Sequence, residues 1–233
     1  MHGDLAASPV KTSTGVQVRA QHPAFGRMEG NLDSSNKFQI KPLGCDPARL
    51  RGLSEKLIVS HYENNYGGAV RRLNAITAQL EALDVASAPV FTLNGLKREQ
   101  LVAANSMFLH ELYFGSLGPD GSPGGALAAA LARDFGTIER WQSEFIAMGK
   151  ALGGGSGWVL LTYSCRDGIL LNQWASDHAH ALAGGTPILA LDMYEHSYHM
   201  DYGAKAAAYV EAFMENINWT SVARLYAACE GRP

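Results

Sequence analysis

The chain carries eight histidines, at positions 2, 22, 61, 110, 178, 180, 196 and 199. Neutral imidazole is the commonest protein ligand for metal ions, and histidine on a helix is also a frequent hydrogen-bonded structural residue. Four side chains stand above that structural role. His61 and His110 each lie on the apolar side of a predicted helix, and two antiparallel helices can aim two imidazoles at one spot between them. Asp192 ends the apolar run Pro187-Ile-Leu-Ala-Leu-Asp192, so its carboxylate is expected to be buried. An unpaired charge there is costly and calls for a cation or several donors. His196 follows four residues later, close enough to share that cation. Three neutral imidazoles and a carboxylate suit a borderline metal such as iron or manganese. Zinc also accepts such a set, so ligand type alone does not choose.

The elements that must position these residues can be read from the pattern. Ser54 offers a capping hydroxyl for a helix running to about Leu83. Its inward stripe falls at four-residue steps, Leu57, His61, Asn65, Ala69 and Leu73, continued by Ile76 and Leu80. Gly67-Gly68 in mid-helix costs about 1 kcal/mol per glycine relative to alanine, which implies either a closely approaching backbone or a kink. A connection from Ala88 to Gly95, with proline and Asn-Gly, leads to a second helix over Lys97 to Phe114 carrying Leu101, Met107, His110 and Phe114. Together they predict a long helical hairpin over 41–120, preceded by an extended arm over 1–40. The run Gly118–Gly125 breaks both helical and strand periods and marks the boundary to an α/β domain over 121–233. There, helices are expected at Gly125–Asp134 and Thr137–Leu152, strands at Trp158–Tyr163, Ile169–Trp174 and Pro187–Asp192, and helices from about Ala204 and Trp219. Arg166-Asp167-Gly168 is a tight hairpin turn. The class is α+β.

Composition excludes several functions. The net charge is −3 and the basic residues are scattered, which argues against a nucleic-acid partner. No apolar stretch approaches the roughly 18–20 residues that span a bilayer, and the first residues lack the basic-then-apolar order of a secretory signal. Cys45, Cys165 and Cys229 lie far apart without CxxC spacing. They read as reduced thiols of a cytoplasmic protein, acting as small buried hydrophobes.

Several motifs, in order, resemble those of the iron/manganese superoxide dismutase family over roughly residues 40–230. Asp192-Met-Tyr-Glu-His196-Ser-Tyr resembles the family's Asp-x-Trp-Glu-His-Ala-Tyr signature, and Gly155-Ser-Gly-Trp158 before a strand resembles a second motif. His110-Glu-Leu-Tyr-Phe, His61 with Asn74 beyond it, and Asn218-Trp219 with Arg224 resemble three more. The resemblance implies a helical hairpin followed by an α/β domain with a three-stranded antiparallel sheet. It implies one Fe or Mn ion per chain, between the two, held by His61, His110, Asp192 and His196 with solvent as a fifth ligand. Superoxide and protons would be the substrates, dioxygen and hydrogen peroxide the products. A homodimer, or a tetramer built from such dimers, is the implied assembly.

The residues around the ligands depart from the family pattern. A hydrogen-bond donor to the bound solvent comes from one of two places. Four residues before the second ligand stands Ser106, too short to reach; after the second strand stands Ser176-Asp177-His178. Asp177-His178 resembles the Asp-His version found in part of the family, so the resemblance assigns His178 the solvent-orienting role, with His180 as the fallback. The gateway tyrosine of the first helix is Ala69 and a frequent histidine is Asn65, both on the His61 stripe, with Tyr62 and Tyr66 as the candidates to compensate. The closing tryptophan is Tyr194, and the dimer-bridging tyrosine is His199, leaving Glu195 to bridge to His196 across a dimer. Trp158, Tyr194, Glu195, His199 and Ser106 are thus the residues expected to surround the ligands. Arg224 is a candidate for steering the anionic substrate, or an ordinary solvated arginine. Ala69 and Asn65 also support an alternative, a metal-binding oxidoreductase of this fold with weak or no dismutase activity. A purely structural relative would be marked by lost ligands, and none is lost.

Overall fold

A computed structural model describes residues 37–231, which lie within one contact unit, Asp33–Pro233. His2, His22 and nearly all of the expected arm lie outside the described residues. Ser54 caps the first helix as expected, its hydroxyl accepting from the Leu57 N–H at 3.1 Å. Helix α1 (Glu55–Ser60) passes into a π-helical turn (His61–Tyr66) and then into α2 (Gly67–Ala82). At the end of the turn the Gly67 N–H reaches back five residues to the Tyr62 carbonyl. One extra residue is thereby absorbed, and the four-residue stripe is corrected at that point. Asn65 is only half buried, whereas Tyr66 takes the inward position and is 1% exposed. Ala69, Leu73 and Ile76 then resume the buried face. Beside Gly67 stand the side chains of Arg71 and Ile40 rather than a foreign backbone, so of the two explanations for the glycine pair the local irregularity is the one found.

Helix α3 (Val90–Gly115) begins seven residues before the predicted start, at Pro89 as its N-cap residue with φ −57°. Proline's fixed φ suits a helix start, and Asn94-Gly95 lies exposed in the early turns, where one glycine costs only about 1 kcal/mol. Helices α2 and α3 pack as a hairpin. The segment entering α1 is strapped to this hairpin by side chains. The Asn74 amide bonds both the N–H and the carbonyl of Phe38, each at 2.9 Å. The Tyr62 hydroxyl donates to the Lys41 carbonyl and the Tyr66 hydroxyl accepts from the Lys41 N–H, both at 2.8 Å.

After the Gly118–Gly125 run come α4 (Gly125–Phe135) and α5 (Ile138–Ala151), the latter capped by Thr137. Strands β1 (Trp158–Ser164), β2 (Ile169–Ala175) and β3 (Gly185–Asp192) form an antiparallel sheet in the order β2-β1-β3. Pro187, which has no N–H to give, lies on the edge strand β3 opposite Thr162, where the register shifts. The register places Trp158 opposite both Ala175 and Asp192. The short α6 (His199–Tyr202), α7 (Ala206–Glu215) and α8 (Trp219–Glu230) complete the chain. The core joins α3 to β3 and α5 to α7 and the sheet, with Trp141, Phe145, Trp158, Tyr209 and Phe213 fully buried. Among the described residues no helix is long and apolar enough to cross a membrane.

Candidate metal centre

The π turn delivers His61 into a ring of aromatic side chains, with centroids 5.1 Å from Tyr113, 5.0 Å from Phe114 and 4.8 Å from His196. From α3, His110 bonds the Ser106 carbonyl through Nδ1 at 2.7 Å. A carbonyl only accepts, so Nδ1 carries the proton and Nε2 presents a lone pair. Asp192 closes β3 at 0% exposure, and its Oδ1 accepts from the Tyr194 N–H at 2.9 Å. Its Oδ2 lies 3.2 Å from His61 Nε2, 3.3 Å from His196 Nε2 and 3.6 Å from His110 Nε2. The four candidate ligand atoms all lie within 4.8 Å of one another. His196, on the 3-10 turn after β3, is the accessible member, with 29% of its side chain exposed.

Electrostatics explain why such a cluster calls for a cation. Burial pushes the His61 imidazole below its ordinary pKa and His110 down to about 3, so both are neutral near pH 7. Burial alone would raise Asp192, but the hydrogen bond to His196 and the nearness of His61 Nε2, 3.2 Å away, outweigh it and hold the carboxylate well below its usual range. A buried negative charge therefore faces neutral rings, and among the described residues no lysine or arginine pairs with it. His61 Nδ1, His61 Nε2 and His110 Nε2 are buried without hydrogen-bond partners. Each orphaned group costs about 1–3 kcal/mol. A metal ion accepting both Nε2 lone pairs removes two of these penalties and neutralises the carboxylate, and an N3O donor set suits iron or manganese.

The surrounding residues divide clearly. Ser106 touches His110, its hydroxyl 3.4 Å from Nδ1. Trp158 donates its indole N–H to His178 Nδ1 at 3.0 Å, and the His178 ring lies 6.1 Å from that of His110. Tyr194 stacks on both His178 and His196. The fallback, His180, is instead at the surface, stacked on Trp174 and 2.7 Å from the Ser176 hydroxyl. Glu195 and His199 are exposed on either side of the buried Ser197 and Tyr198. Arg224 is exposed on α8, which packs on α4 and β3, and among the described residues no hydrogen bond or ion pair joins it to the cluster. Tyr62 and Tyr66 do not compensate for Ala69. Their hydroxyls are occupied by the Lys41 main chain, and Tyr66 also donates to Glu111 at 3.1 Å.

The sequence reading missed two tyrosines. The Tyr209 hydroxyl donates to the Asp192 carbonyl at 2.8 Å and lies 3.4 Å from the Tyr113 hydroxyl. Tyr113, three residues after His110 on one helix, could have been found from helical spacing. Tyr209 carried no local signal.

Residues 123–225 match the description of the C-terminal domain of iron/manganese superoxide dismutases. A protein of Cupriavidus metallidurans named superoxide dismutase [Fe] is 76% identical over 191 residues, covering 82% of this chain and 97% of that protein. Superoxide dismutase [Mn] 1 of Halobacterium salinarum is 34% identical over 192 residues, covering 79% and 92%. Superoxide dismutase [Fe] of Aquifex aeolicus is 33% identical over 184 residues, covering 76% and 85%. Such likeness over nearly the full length of curated relatives, together with the three-histidine, one-aspartate cluster, leads to one conclusion: the chain belongs to the iron/manganese superoxide dismutase family.

Proposed function

We propose that this chain is a superoxide dismutase holding one iron or manganese ion through Nε2 of His61, His110 and His196 and a carboxylate oxygen of Asp192. The observation that carries the ligand assignment is the convergence of orphaned buried imidazole nitrogens on a buried carboxylate that no lysine or arginine among the described residues pairs with. The ion, when bound, supplies a one-electron couple between the M(III) and M(II) states. Two superoxide ions and two protons then give dioxygen and hydrogen peroxide.

The protein's own residues fix the surroundings of that chemistry. The Trp158 indole can only donate, so His178 accepts at Nδ1, and the neutral ring carries its proton on Nε2. That N–H is the donor assigned to orient solvent at the open position of the site. Burial lowers the His178 pKa, which favours this neutral form near pH 7. Iron is the first metal to test, because the Cupriavidus relative is named for it. A homodimer is proposed with Glu195 and His199, both exposed in the single chain, in its interface. A cytoplasmic setting is proposed from the wide spacing of the three cysteines; of these only Cys229 is the buried hydrophobe expected, whereas Cys45 is half-buried and Cys165 exposed.

The test is elemental analysis of the purified chain after iron or manganese loading, paired with a superoxide-consumption assay. One metal per chain with fast turnover, both lost in His196→Ala, is expected. A chain that takes up neither metal refutes the ligand assignment.

A further inference from the structure

Five aromatic side chains form a closed circuit on one side of the ligand cluster. Successive ring centroids lie 5.3 Å apart for His110 and Trp158, 5.6 Å for Trp158 and His178, and 4.8 Å for His178 and Tyr194. The circuit closes with 5.4 Å for Tyr194 and His196 and 5.8 Å for His196 and His110. Two members are proposed ligands, one is the proposed donor and one anchors the donor. Tyr194 alone has no role in that scheme. Its geometry is the most regular of the set: its plane lies 13° from that of His178 and 17° from that of His196, so one flat ring stacks on both.

Tyr194 is also fixed at both ends of its main chain. Its N–H donates to Asp192 Oδ1 at 2.9 Å, and its carbonyl accepts from the Ser197 hydroxyl at 2.7 Å. His178 sits on the loop between β2 and β3, with its carbonyl held by Asn105 at 2.6 Å and its ring held at one nitrogen by Trp158. A single hydrogen bond leaves a ring free to swing about that contact. A parallel neighbour on its face removes the swing, because stacked rings hold a defined spacing.

We infer that Tyr194 is a positioning residue, a flat ring stacked on both histidines that sets where the His178 N–H stands relative to His196 and Asp192. This rests on the reading of His178 as the solvent-orienting donor. The placement of such a hydrogen-bond donor beside a metal site controls how the site binds solvent and small anions. Position 194 is thus a determinant of anion affinity without being a ligand.

The test uses the full chain with labelled histidines and the variants Tyr194→Phe, which keeps the flat ring, and Tyr194→Met, which fills the space without one. In the metal-free protein, long-range proton–nitrogen correlation reads the His178 tautomer. Wild type and Tyr194→Phe should show one form with the proton on Nε2, and Tyr194→Met a mixture. In the iron-loaded protein, azide titration followed optically should shift about tenfold for Tyr194→Met and stay near wild type for Tyr194→Phe. A Tyr194→Met protein, folded by circular dichroism, that keeps both the single tautomer and wild-type azide affinity overturns the inference. So does a mixture in Tyr194→Phe, which decides the matter even if the Met variant does not fold. Failure of the underlying reading is separate: it shows in wild type itself, as a proton on Nδ1 of His178 or as absence of bound iron.

Discussion

Replacing Asp192 by asparagine separates a metal ligand from a structural carboxylate. Asparagine has the same shape, and its carbonyl oxygen can keep the 2.9 Å bond from the Tyr194 N–H. What changes is the atom facing His61, His196 and His110 at 3.2, 3.3 and 3.6 Å, which becomes a neutral amide. In the metal-free chain two effects oppose. The burial penalty on a fully buried charge disappears, a gain of several kcal/mol. The charge-assisted contacts with His196 and His61 are lost, at about 1.5–3 kcal/mol each. The net expectation is a modest loss of about 1–3 kcal/mol. With metal at one hundred times its dissociation constant, wild type gains a further amount of about 2.7 kcal/mol that a non-binding variant cannot.

The quantity to measure is therefore a difference between differences. Urea unfolding of wild type and Asp192→Asn is followed once with chelator and once with saturating iron or manganese. The loss caused by the substitution should be larger with metal by about 2.7 kcal/mol or more. Equal losses in both conditions would mean that Asp192 serves the fold and not a metal, and the reasoning from buried charge would be wrong.

Three further outcomes follow from the same geometry. In the metal-free chain, unfolded histidine takes up a proton near pH 6.5, whereas folded His110 does so only near 3 and folded His61 is shifted the same way. The unfolded state binds more protons in that window, so stability should fall as pH drops from about 6.5 towards 3, by about 1.4 kcal/mol per pH unit for His110, with His61 adding in the same direction, as read by urea midpoints. Gly157→Ala should fail to fold or lose at least about 3 kcal/mol, because an added Cβ, at φ 130°, would stand 2.2 Å from the Ala175 carbonyl oxygen; thermal unfolding and metal content check it. If Arg224 steers superoxide, Arg224→Glu should lower kcat/KM about twofold at low ionic strength, with the effect fading as salt is raised; unchanged kcat/KM at low salt assigns it to the solvated surface.

The candidate ligands were legible in the sequence because each sits in a context that periodicity or hydrophobicity exposes. His61 and His110 follow the apolar face of two helices, and Asp192 closes an apolar strand that does prove fully buried. The hairpin turn at Asp167-Gly168 was legible for a similar reason, since Gly168 adopts φ 68°. What escaped depends on contacts between distant segments. No residue type announces that one extra residue will be absorbed at His61–Tyr66, and an unbroken four-residue step places Asn65 inward where Tyr66 is found. The early start of α3 escaped because Asn94-Gly95 has strong turn character in isolation, and only packing of α3 along α2 overrides it. Which of His178 and His180 meets Trp158 was likewise not legible, since it is decided by the register that sets Trp158 opposite both Ala175 and Asp192.

The π turn also changes where a proton can come from. By carrying Tyr66 to the inward face and binding its hydroxyl to Lys41 and Glu111, it commits both first-helix phenols, Tyr62 and Tyr66, to the strap rather than to the cluster. The phenols near the ligands come instead from the later elements. Tyr113 and Tyr209 are sealed against His61 and the Asp192 carbonyl, and burial raises the pKa of each. A sealed phenol of raised pKa is a poor channel to solvent. His61, His110 and Asp192 are closed to water, while His196 keeps 29% of its side chain exposed. At the proposed site, solvent therefore meets the cluster at His196, on the face it shares with Tyr194. The loss of a gateway phenol at Ala69 is accordingly a question for that face, where Tyr194 stacks on both the proposed ligand His196 and the proposed donor His178.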